Sequence, residues 1–316
     1  MPTEQSTFKL LYSEEPFVDR YADNPANAVD IVIPIIHTNE LWRKNLISIY
    51  REIPVNRLLI GDGGCIDDSI KIAQEFPRVE VFDHRSYKTL GYSIRKLIEE
   101  VQTEFFLYLH SDIYIAPDWF DAMYKNTEKY DWCECEQKLV VFAEYDNKFA
   151  DSLLDFGFGG TQMGRKEAFD DILNEIDDDY LYRNEDIIIR TLLQNKGHKW
   201  GFDDKLFHYH QVMHRQSFTG RKIQNVKINM SIPQEERIRE CSMQVKGFVK
   251  YLKPTQQIAE LAKTYLQVLL DHHIITYSEF IEWVKETNPI WQPYFCKNIQ
   301  LKDKIKRKLI KFINRF

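Results

Sequence analysis

An apolar run in the first half of the chain ends abruptly in polar residues, Glu104-Phe-Phe-Leu-Tyr-Leu-His-Ser-Asp112. Its apolar part predicts a strand at 105–109 that is buried on both faces. His110 and Asp112 follow at the carboxyl end of this strand, which is where open α/β sheets bind their ligands. A metal ion or a phosphate-bearing substrate is therefore expected here first.

Upstream of this strand, apolar runs alternate with helical patterns. The predicted strands are 29–36, 57–60 and 79–82, and the predicted helices are about 39–51, 67–75 and 90–101. This alternation is typical of βαβ units with a parallel sheet, so the fold class is α/β. The loops after the strands meet at one edge and bring together Pro34, Asp62, the 83–88 loop with Arg85, and Asp112.

The second half of the chain is less regular. It predicts a strand at 138–142, a glycine-rich loop at 156–160, a helix at 182–196 and two extended pieces at 198–202 and 206–210. Four helices are expected after that, at 233–252, 254–271, 277–286 and 301–316. The organisation is thus an N-terminal extension (1–28), an α/β domain (29–220) and a helical region (221–316).

Composition narrows the class of protein. The 316 residues are 44% hydrophobic and 28% charged, as in ordinary soluble domains, and the net charge of -6 argues against nucleic acid as a partner. Apolar runs fall short of the roughly 20 residues that span a bilayer, and the N-terminus lacks a signal-like pattern. The five scattered cysteines fit reduced thiols, so the expected location is cytoplasmic.

The C-terminal tail, 301–316, carries seven Lys and Arg residues against one Asp. On a helix, its apolar residues form one stripe: Leu301, Ile305, Leu309, Ile313 and Phe316. A basic amphipathic helix of this kind binds an anionic membrane interface, which would place the protein peripherally on the inner membrane face. The alternative is a helix that packs on the domain or frays in solvent.

Carboxylates and histidines follow several of the predicted strands and open one of the helices. They are Asp62, Asp112, Glu185, Asp186, His208 and His210. Asp and His side chains around a divalent cation stabilise a departing diphosphate, while a separate carboxylate takes the proton of an attacking hydroxyl. The pattern therefore favours a transfer reaction on a diphosphate substrate.

In their order along the chain, these pieces resemble the family 2 glycosyltransferases with the GT-A fold. The matching segments are Ile31-Val-Ile-Pro34, Leu59-Ile-Gly-Asp-Gly-Gly64, Leu107-Tyr-Leu-His-Ser-Asp112, Phe158-Gly-Gly-Thr-Gln-Met-Gly-Arg165, Asn184-Glu-Asp-Ile-Ile-Ile-Arg190 and His208-Tyr-His210. The resemblance implies an inverting enzyme of polysaccharide biosynthesis. It would move a sugar from a nucleotide-diphosphate donor to a hydroxyl of a glycan or lipid-linked acceptor.

The resemblance also implies a role for each matched position. The nucleotide-binding residues would be Pro34, Asp62, Arg85 and Asp112. Asp186 would be the general base, and Glu185 would orient it or the acceptor. Asp112 with His208 or His210 would hold Mn²⁺ or Mg²⁺, and Gly159 and Gly160 would let the chain pass close to the sugars. Trp200 would stack on a sugar ring, as aromatic side chains often do, unless it packs in the core.

This sequence departs from the family pattern at His110, which stands where the first aspartate of Asp-x-Asp is usual. Imidazole ligates Mn²⁺ but suits Mg²⁺ poorly, so Asp112 and a distal histidine are the expected metal ligands. The departure also leaves open a catalytically silent nucleotide- or glycan-binding protein. A sugar-phosphate nucleotidyltransferase is a weaker alternative, because the loop after the first strand has no glycine.

Simpler structural roles remain open for the same residues. Asp62 would serve as a turn residue, since Asp-Gly favours turns. Asp112 would cap the segment that follows it, and Asp186 would be a first-turn acid favoured by the helix dipole. His208 and His210 share one face of a strand, so one would lie in the core and the other would be a ligand, or both would point outward.

Overall fold

The structure is a computed structural model that describes residues 10–11, 13–23, 26–38, 40–142, 149–178, 185–213 and 234–295. Its strands are Val29–Ile35 (β1), Val55–Asp62 (β2), Val79–Asp83 (β3), Phe105–Leu109 (β4), Ile113–Tyr114 (β5), Trp132–Phe142 (β6), Phe149–Arg165 (β7) and Trp200–Met213 (β8). Its helices are Trp42–Glu52 (α1), Ser69–Ala73 (α2), Leu90–Glu99 (α3), Trp119–Lys125 (α4), Lys166–Asp170 (α5), Glu185–Asn195 (α6), Gln234–Tyr251 (α7), Gln256–Asp271 (α8) and Tyr277–Thr287 (α9). Short 3₁₀ turns lie at 20–23, 126–128, 173–175 and 289–291.

The strands form one mixed sheet of eight in the order β3-β2-β1-β4-β7-β6-β8-β5. Strands β1 to β4 are parallel to one another, as the βαβ pattern predicts, and the α/β fold class is confirmed. All five residues of β4 are buried, because neighbours cover both of its faces. The carboxyl ends of β1, β2, β3 and β4 therefore lie along one edge of the sheet.

The second half departs from expectation at the glycine-rich segment. Residues 156–160, which we expected to form a loop, lie inside the 17-residue strand β7. Gly159 and Gly160 have positive φ angles of 134° and 83°, so they are glycines of an irregular strand rather than of a connection. The strand predicted at 138–142 begins earlier, at Trp132, and β8 joins the two predicted extended pieces with one register shift against β6.

Residues 13–23 lie along the first compact unit, which runs through Met213, as a wrapped arm. Glu15 forms an ion pair of 2.5 Å with Lys44 of α1. Asp19 accepts two hydrogen bonds from Arg78, at 2.8 and 2.9 Å. Because both partners sit on or beside the βαβ framework, this part of the predicted extension is held to the sheet domain.

A second compact unit contains the described residues from Gln234 onward. Helices α7 to α9 enclose buried side chains that include Phe248, Leu266, Phe280 and Trp291. Thr276 and Glu279 form a capping box that starts α9. The helix predicted at 301–316 lies outside the described residues. Within the described residues, no helix has the length and apolar content needed to cross a bilayer.

Candidate active site

The turn 110–112 after β4 is fixed by backbone contacts from three elements. The backbone N–H of His110 donates to the Gly160 carbonyl of β7 at 2.9 Å, and the N–H of Gln211 in β8 donates to the Asp112 carbonyl at 2.8 Å. Asn45 of α1 donates its side-chain amide to the Ser111 carbonyl at 3.0 Å. Asn45 and Gln211 also bond to each other, so the turn is rigid on both flanks.

Asp112 lies against two histidines. His210 Nε2 is 3.2 Å from Asp112 Oδ1, and His110, Asp112 and His210 each offer one ligand atom within 4.8 Å of the others. Burial raises the pKa of Asp112, but the charges of His210 and His110 outweigh it and lower the pKa to about 2. An ionised carboxylate beside two imidazoles is a donor set that fits a divalent cation.

His208, the other expected ligand, does not join this group. Its side chain is fully buried, and its Nδ1 lies 2.8 Å from Thr161 Oγ1. Desolvation, together with the charge of His210, lowers the pKa of His208 well below its usual value, so this imidazole is neutral. Of the two histidines on β8, the structure brings His210 to Asp112 and leaves His208 in the core.

Glu185 and Asp186 are the first two residues of α6, and their surroundings shift their pKa values in opposite directions. Glu185 is buried; Tyr108 donates to its Oε1 at 3.0 Å, and His110 Nε2 lies 3.6 Å from the same oxygen. Burial favours a higher pKa for Glu185, but the contact with His110 lowers it below the usual value. For Asp186, burial and the nearby charge of Glu185 act together and raise the pKa to about 6.

Gly159 and Gly160 bring the chain directly against these groups. A Cβ at Gly159 would lie 3.3 Å from Asp186 Oδ2, and a Cβ at Gly160 would lie 2.9 Å from Ile113 Cδ1 and 3.4 Å from His210 Nδ1. Both residues also have φ angles that L side chains rarely adopt. The two glycines therefore leave room beside the carboxylate of Asp186 and the imidazole of His210.

Asp62 closes the turn after β2. Its Oδ1 accepts hydrogen bonds from the backbone N–H groups of Gly64, at 2.9 Å, and Cys65, at 2.8 Å. Burial acts to raise the pKa of Asp62, but these two donors lower it below its usual value. The turn role weighed for Asp62 is thus real, and the second carboxylate oxygen makes neither of these bonds.

Pro34 and Arg85 flank the Asp62 turn at the same sheet edge. Pro34 of β1 is in register with Gly61 of β2. Arg85, just after β3, forms an ion pair with Asp83, and its Cγ would lie 3.5 Å from a Cβ at Gly64. The structure therefore groups these expected nucleotide-binding residues at the ends of β1, β2 and β3.

His37 ends the loop 34–37 that we expected at this sheet edge, but the sequence assigned it no role. It follows β1, and its Nδ1 is buried without a hydrogen-bond partner. Desolvation lowers the pKa of His37, although the charges of Asp67 and Asp112 oppose this effect. The only signal in the sequence was its position just beyond a strand end.

Trp200 lies far from Asp112 and His210 along the strands of the sheet. It is in register with Trp132, whereas His210 is in register with Leu139, seven residues further along β6 and roughly 20 Å along the strand. The guanidinium of Arg190 sits over the Trp200 ring, 4.8 Å from its centroid. The structure thus does not bring Trp200 to the group formed by His110, Asp112 and His210. The guanidinium of Arg190 stacks on the Trp200 ring instead.

Arg190 lies one helical turn after Asp186 on α6. It is 3.8 Å from the buried carboxylate of Glu134, which also accepts a hydrogen bond from Trp132 Nε1 at 3.0 Å. Burial and the charge of Asp186 raise the pKa of Glu134 to about 7. Glu134 was not predicted as a site residue, because the predicted strand began after it.

Several solved structures are similar to this chain. S. aureus TarS 1-349 in complex with UDP-GlcNAc is 13% identical, with a TM-score of 0.47, over 80% of this chain and 78% of that one. The bifunctional IspDF from Campylobacter jejuni is 13% identical, with a TM-score of 0.40, over 57% of this chain and 50% of that one. No curated protein sequence matches this chain.

The sequence family described as "Glycosyl transferase family 2" matches residues 30–188, about half of the chain. The matched segment begins in β1 and ends in α6, so it contains Asp62, Asp112 and Asp186 and the strand ends that carry them. The parallel strands, the turn after β4 and the acidic start of α6 occur in the order expected of that family, and the chain belongs to glycosyltransferase family 2.

Proposed function

We propose that this protein is an inverting glycosyltransferase that moves a sugar from a nucleotide-diphosphate donor to a hydroxyl of a glycan or lipid-linked acceptor. The observation that carries the proposal is Asp186, a carboxylate with a pKa of about 6 beside the space left by Gly159. Such a group is mostly ionised at neutral pH and is more basic than an ordinary aspartate.

In the proposed reaction, Asp186 takes the proton of the acceptor hydroxyl. The acceptor oxygen bonds to the anomeric carbon as the bond from that carbon to the donor diphosphate breaks, and the electron pair leaves with the nucleoside diphosphate. A single in-line displacement inverts the anomeric configuration. Glu185, held by Tyr108 and His110, keeps the start of α6 in place during this step.

Asp112 and His210 would hold a divalent cation, Mn²⁺ or Mg²⁺. The 3.2 Å contact between Asp112 Oδ1 and His210 Nε2 supports this assignment, because it places two ligand atoms side by side. When bound, the cation supplies positive charge that offsets the charge developing on the leaving diphosphate.

The donor nucleotide would bind at the ends of β1, β2 and β3. The Asp62 oxygen that does not close the turn would accept hydrogen bonds from the base edge, and Pro34 would line the base or ribose. Arg85, whose side chain is 67% exposed, would reach the diphosphate. Asp83 would release it, because an exposed ion pair of this kind is worth little.

The first test is a thermal-shift screen of nucleoside diphosphates with Mn²⁺, since a ligand that binds the folded state raises Tm by mass action. The matching nucleotide-sugar is then assayed for donor turnover. Wild-type protein is compared with Asp186→Asn and with Asp170→Asn, which alters an exposed surface carboxylate on α5. Turnover that survives in Asp186→Asn would remove Asp186 as the base.

A second candidate is a catalytically silent nucleotide- or glycan-binding protein, which His110 in place of an aspartate favours. This protein would show the thermal shift with a nucleoside diphosphate but would neither transfer nor hydrolyse the sugar. Donor hydrolysis with and without Mn²⁺ distinguishes the two candidates.

A further inference from the structure

His110 and His210 both lie beside Asp112 as candidate metal-ligating histidines, and one ligand atom of each of the three residues lies within 4.8 Å of the other two. Such a histidine binds the ion through one ring nitrogen and gives the other to an acceptor that fixes its tautomer and orientation. His210 Nδ1 donates to Gln137 Oε1 at 2.6 Å, and its Nε2 faces Asp112. His110 Nε2 lies 3.6 Å from Glu185 Oε1, beyond hydrogen-bond distance, and is buried without a hydrogen-bond partner.

The acceptors behind the two histidines are themselves held in place. Glu185 is 5% exposed and receives the hydroxyl of Tyr108, which is fully buried. Gln137 is 6% exposed and lies on β6, in register with His208 of β8. The backbone of His110 is fixed by the Gly160 carbonyl. The imidazole of His210 and the backbone of His110 are therefore held in place before any ion arrives.

We infer that His110 is a third ligand of the cation, so that two imidazoles and the Asp112 carboxylate select a first-row transition ion over Mg²⁺. This inference rests on the proposed function, since it concerns the same cation. Mg²⁺ prefers oxygen ligands and octahedral geometry, whereas imidazole nitrogen favours transition ions. A chain that kept two carboxylates at 110 and 112 would not discriminate in this way.

The test measures metal binding without any nucleotide. Metal-free full-length protein is titrated with Mn²⁺, Co²⁺ or Mg²⁺, and the affinities are compared between wild type and His110→Asp, which restores Asp-x-Asp. We expect wild type to bind Mn²⁺ at least about tenfold more tightly than Mg²⁺, and Co²⁺ more tightly still. His110→Asp is expected to reduce the Mn²⁺ to Mg²⁺ preference by about tenfold.

A spectroscopic readout counts the nitrogen ligands directly. Pulsed electron paramagnetic resonance of bound Mn²⁺ is expected to show two coupled imidazole nitrogens in wild type and one in His110→Asp. His110→Asn, which is uncharged beside Glu185, gives the same count if the aspartate variant folds poorly. His273→Asp is the matched control, because it makes the same change at an exposed position of the helical unit.

Two results would overturn the inference. One is an unchanged nitrogen count and an unchanged metal preference in His110→Asp. The other is the absence of Mn²⁺ binding to wild type at millimolar concentration. Asp186→Asn separates this inference from the proposed function, because it should lose turnover while keeping the two-nitrogen signal. A wild-type protein with that signal but no turnover would support the ligand assignment and reject the enzyme.

Discussion

The two halves of the site edge differ in how their surroundings shift the pKa values of their carboxylates. At the ends of β1 to β3, which we call the nucleotide half, Asp62 and Asp83 are held by neighbouring donors and both have lowered pKa values. Around the turn 110–112 and the start of α6, which we call the transfer half, Asp112, Glu185 and Asp186 share one region and their pKa values diverge. Asp112 falls to about 2 while Asp186 rises to about 6.

This difference indicates that the carboxylates of the two halves are suited to different roles. A group that binds a ligand through a fixed charge benefits from partners that keep it ionised at every physiological pH. A group that accepts a proton needs a pKa near the working pH, which burial and a like charge supply. The nucleotide half is therefore suited to recognition, and the transfer half is suited to chemistry.

The largest expected effect comes from removing the base of the transfer half. Asp186→Asn keeps the size of the side chain but cannot take a proton, so we expect kcat to fall roughly 10³-fold. The donor KM should change little, because the nucleotide half is untouched. Steady-state kinetics with the donor identified by the thermal-shift screen measure both constants. A proportional loss in Asp170→Asn would show that the fall does not report on the base.

A side chain that fills the space beside Asp186 should lower kcat by a smaller factor, though still a large one. Gly159→Ala places a methyl group about 3.3 Å from Asp186 Oδ2 at a φ of 134°. Since small displacements of reacting groups cost about 10²-fold, we expect a loss of that order in kcat. Gly197→Ala is the matched control, because Gly197 also has a positive φ but has no atom within 4 Å of the added Cβ. Equal activity losses in the two variants would indicate backbone strain rather than contact with Asp186.

The pH dependence of turnover tests the divergence of the two halves directly. Asp186 must be deprotonated to act, so kcat should fall as the pH drops through about 6, by roughly tenfold per unit below it. Nucleoside diphosphate binding should persist over the same range, because the pKa of Asp62 is lowered. A kcat that stays constant down to the ordinary aspartate range would contradict the raised pKa of the base.

Within the nucleotide half, Asp62 combines a structural role with a proposed binding role, and two substitutions separate them. Asp62→Asn retains an oxygen for the Gly64 and Cys65 N–H groups but loses the charge, so we expect about a tenfold rise in donor KM with kcat preserved. Asp62→Ala also leaves those donors unpaired and should lower the stability by about 1 kcal/mol. Thermal melts beside the kinetics distinguish the two effects, and an unaltered KM in both variants would leave Asp62 as a turn residue alone.

The same contrast explains how much was predictable from the sequence. The nucleotide half follows from local pattern, because a β-branched run predicts β1, a shorter apolar run predicts β2, and the Asp-Gly turn follows β2. The transfer half depends on partners distant in sequence, such as Asn45 with Gln211 and His110 with Glu185. The glycines inside β7 have the composition of a loop, so the sequence predicted a loop there. Alternation along β8 does not distinguish His208 from His210; the structure does, because His208 contacts Thr161 and His210 contacts Gln137.

The last prediction concerns the stability of Asp186→Asn, the substitution from which we expect the greatest loss of activity. We expect a small gain in its free energy of unfolding. The pKa of Asp186 rises from 3.8 unfolded to about 6 folded, so the folded state favours its protonated form. Ionisation of Asp186 therefore lowers the free energy of unfolding. This loss develops as the pH rises from 3.8 through about 6. Asp186→Asn removes this cost, and we expect the variant to be more stable at pH 7 by an amount on the order of 1 kcal/mol, or about 2–4 °C in Tm. Melting curves at pH 4 and pH 7 measure it: the gain should appear only at the higher pH, while Asp170→Asn should show none. A variant that is destabilised at pH 7 would mean that Asp186 is held by contacts that favour its charge, and the contrast with Asp62 would disappear.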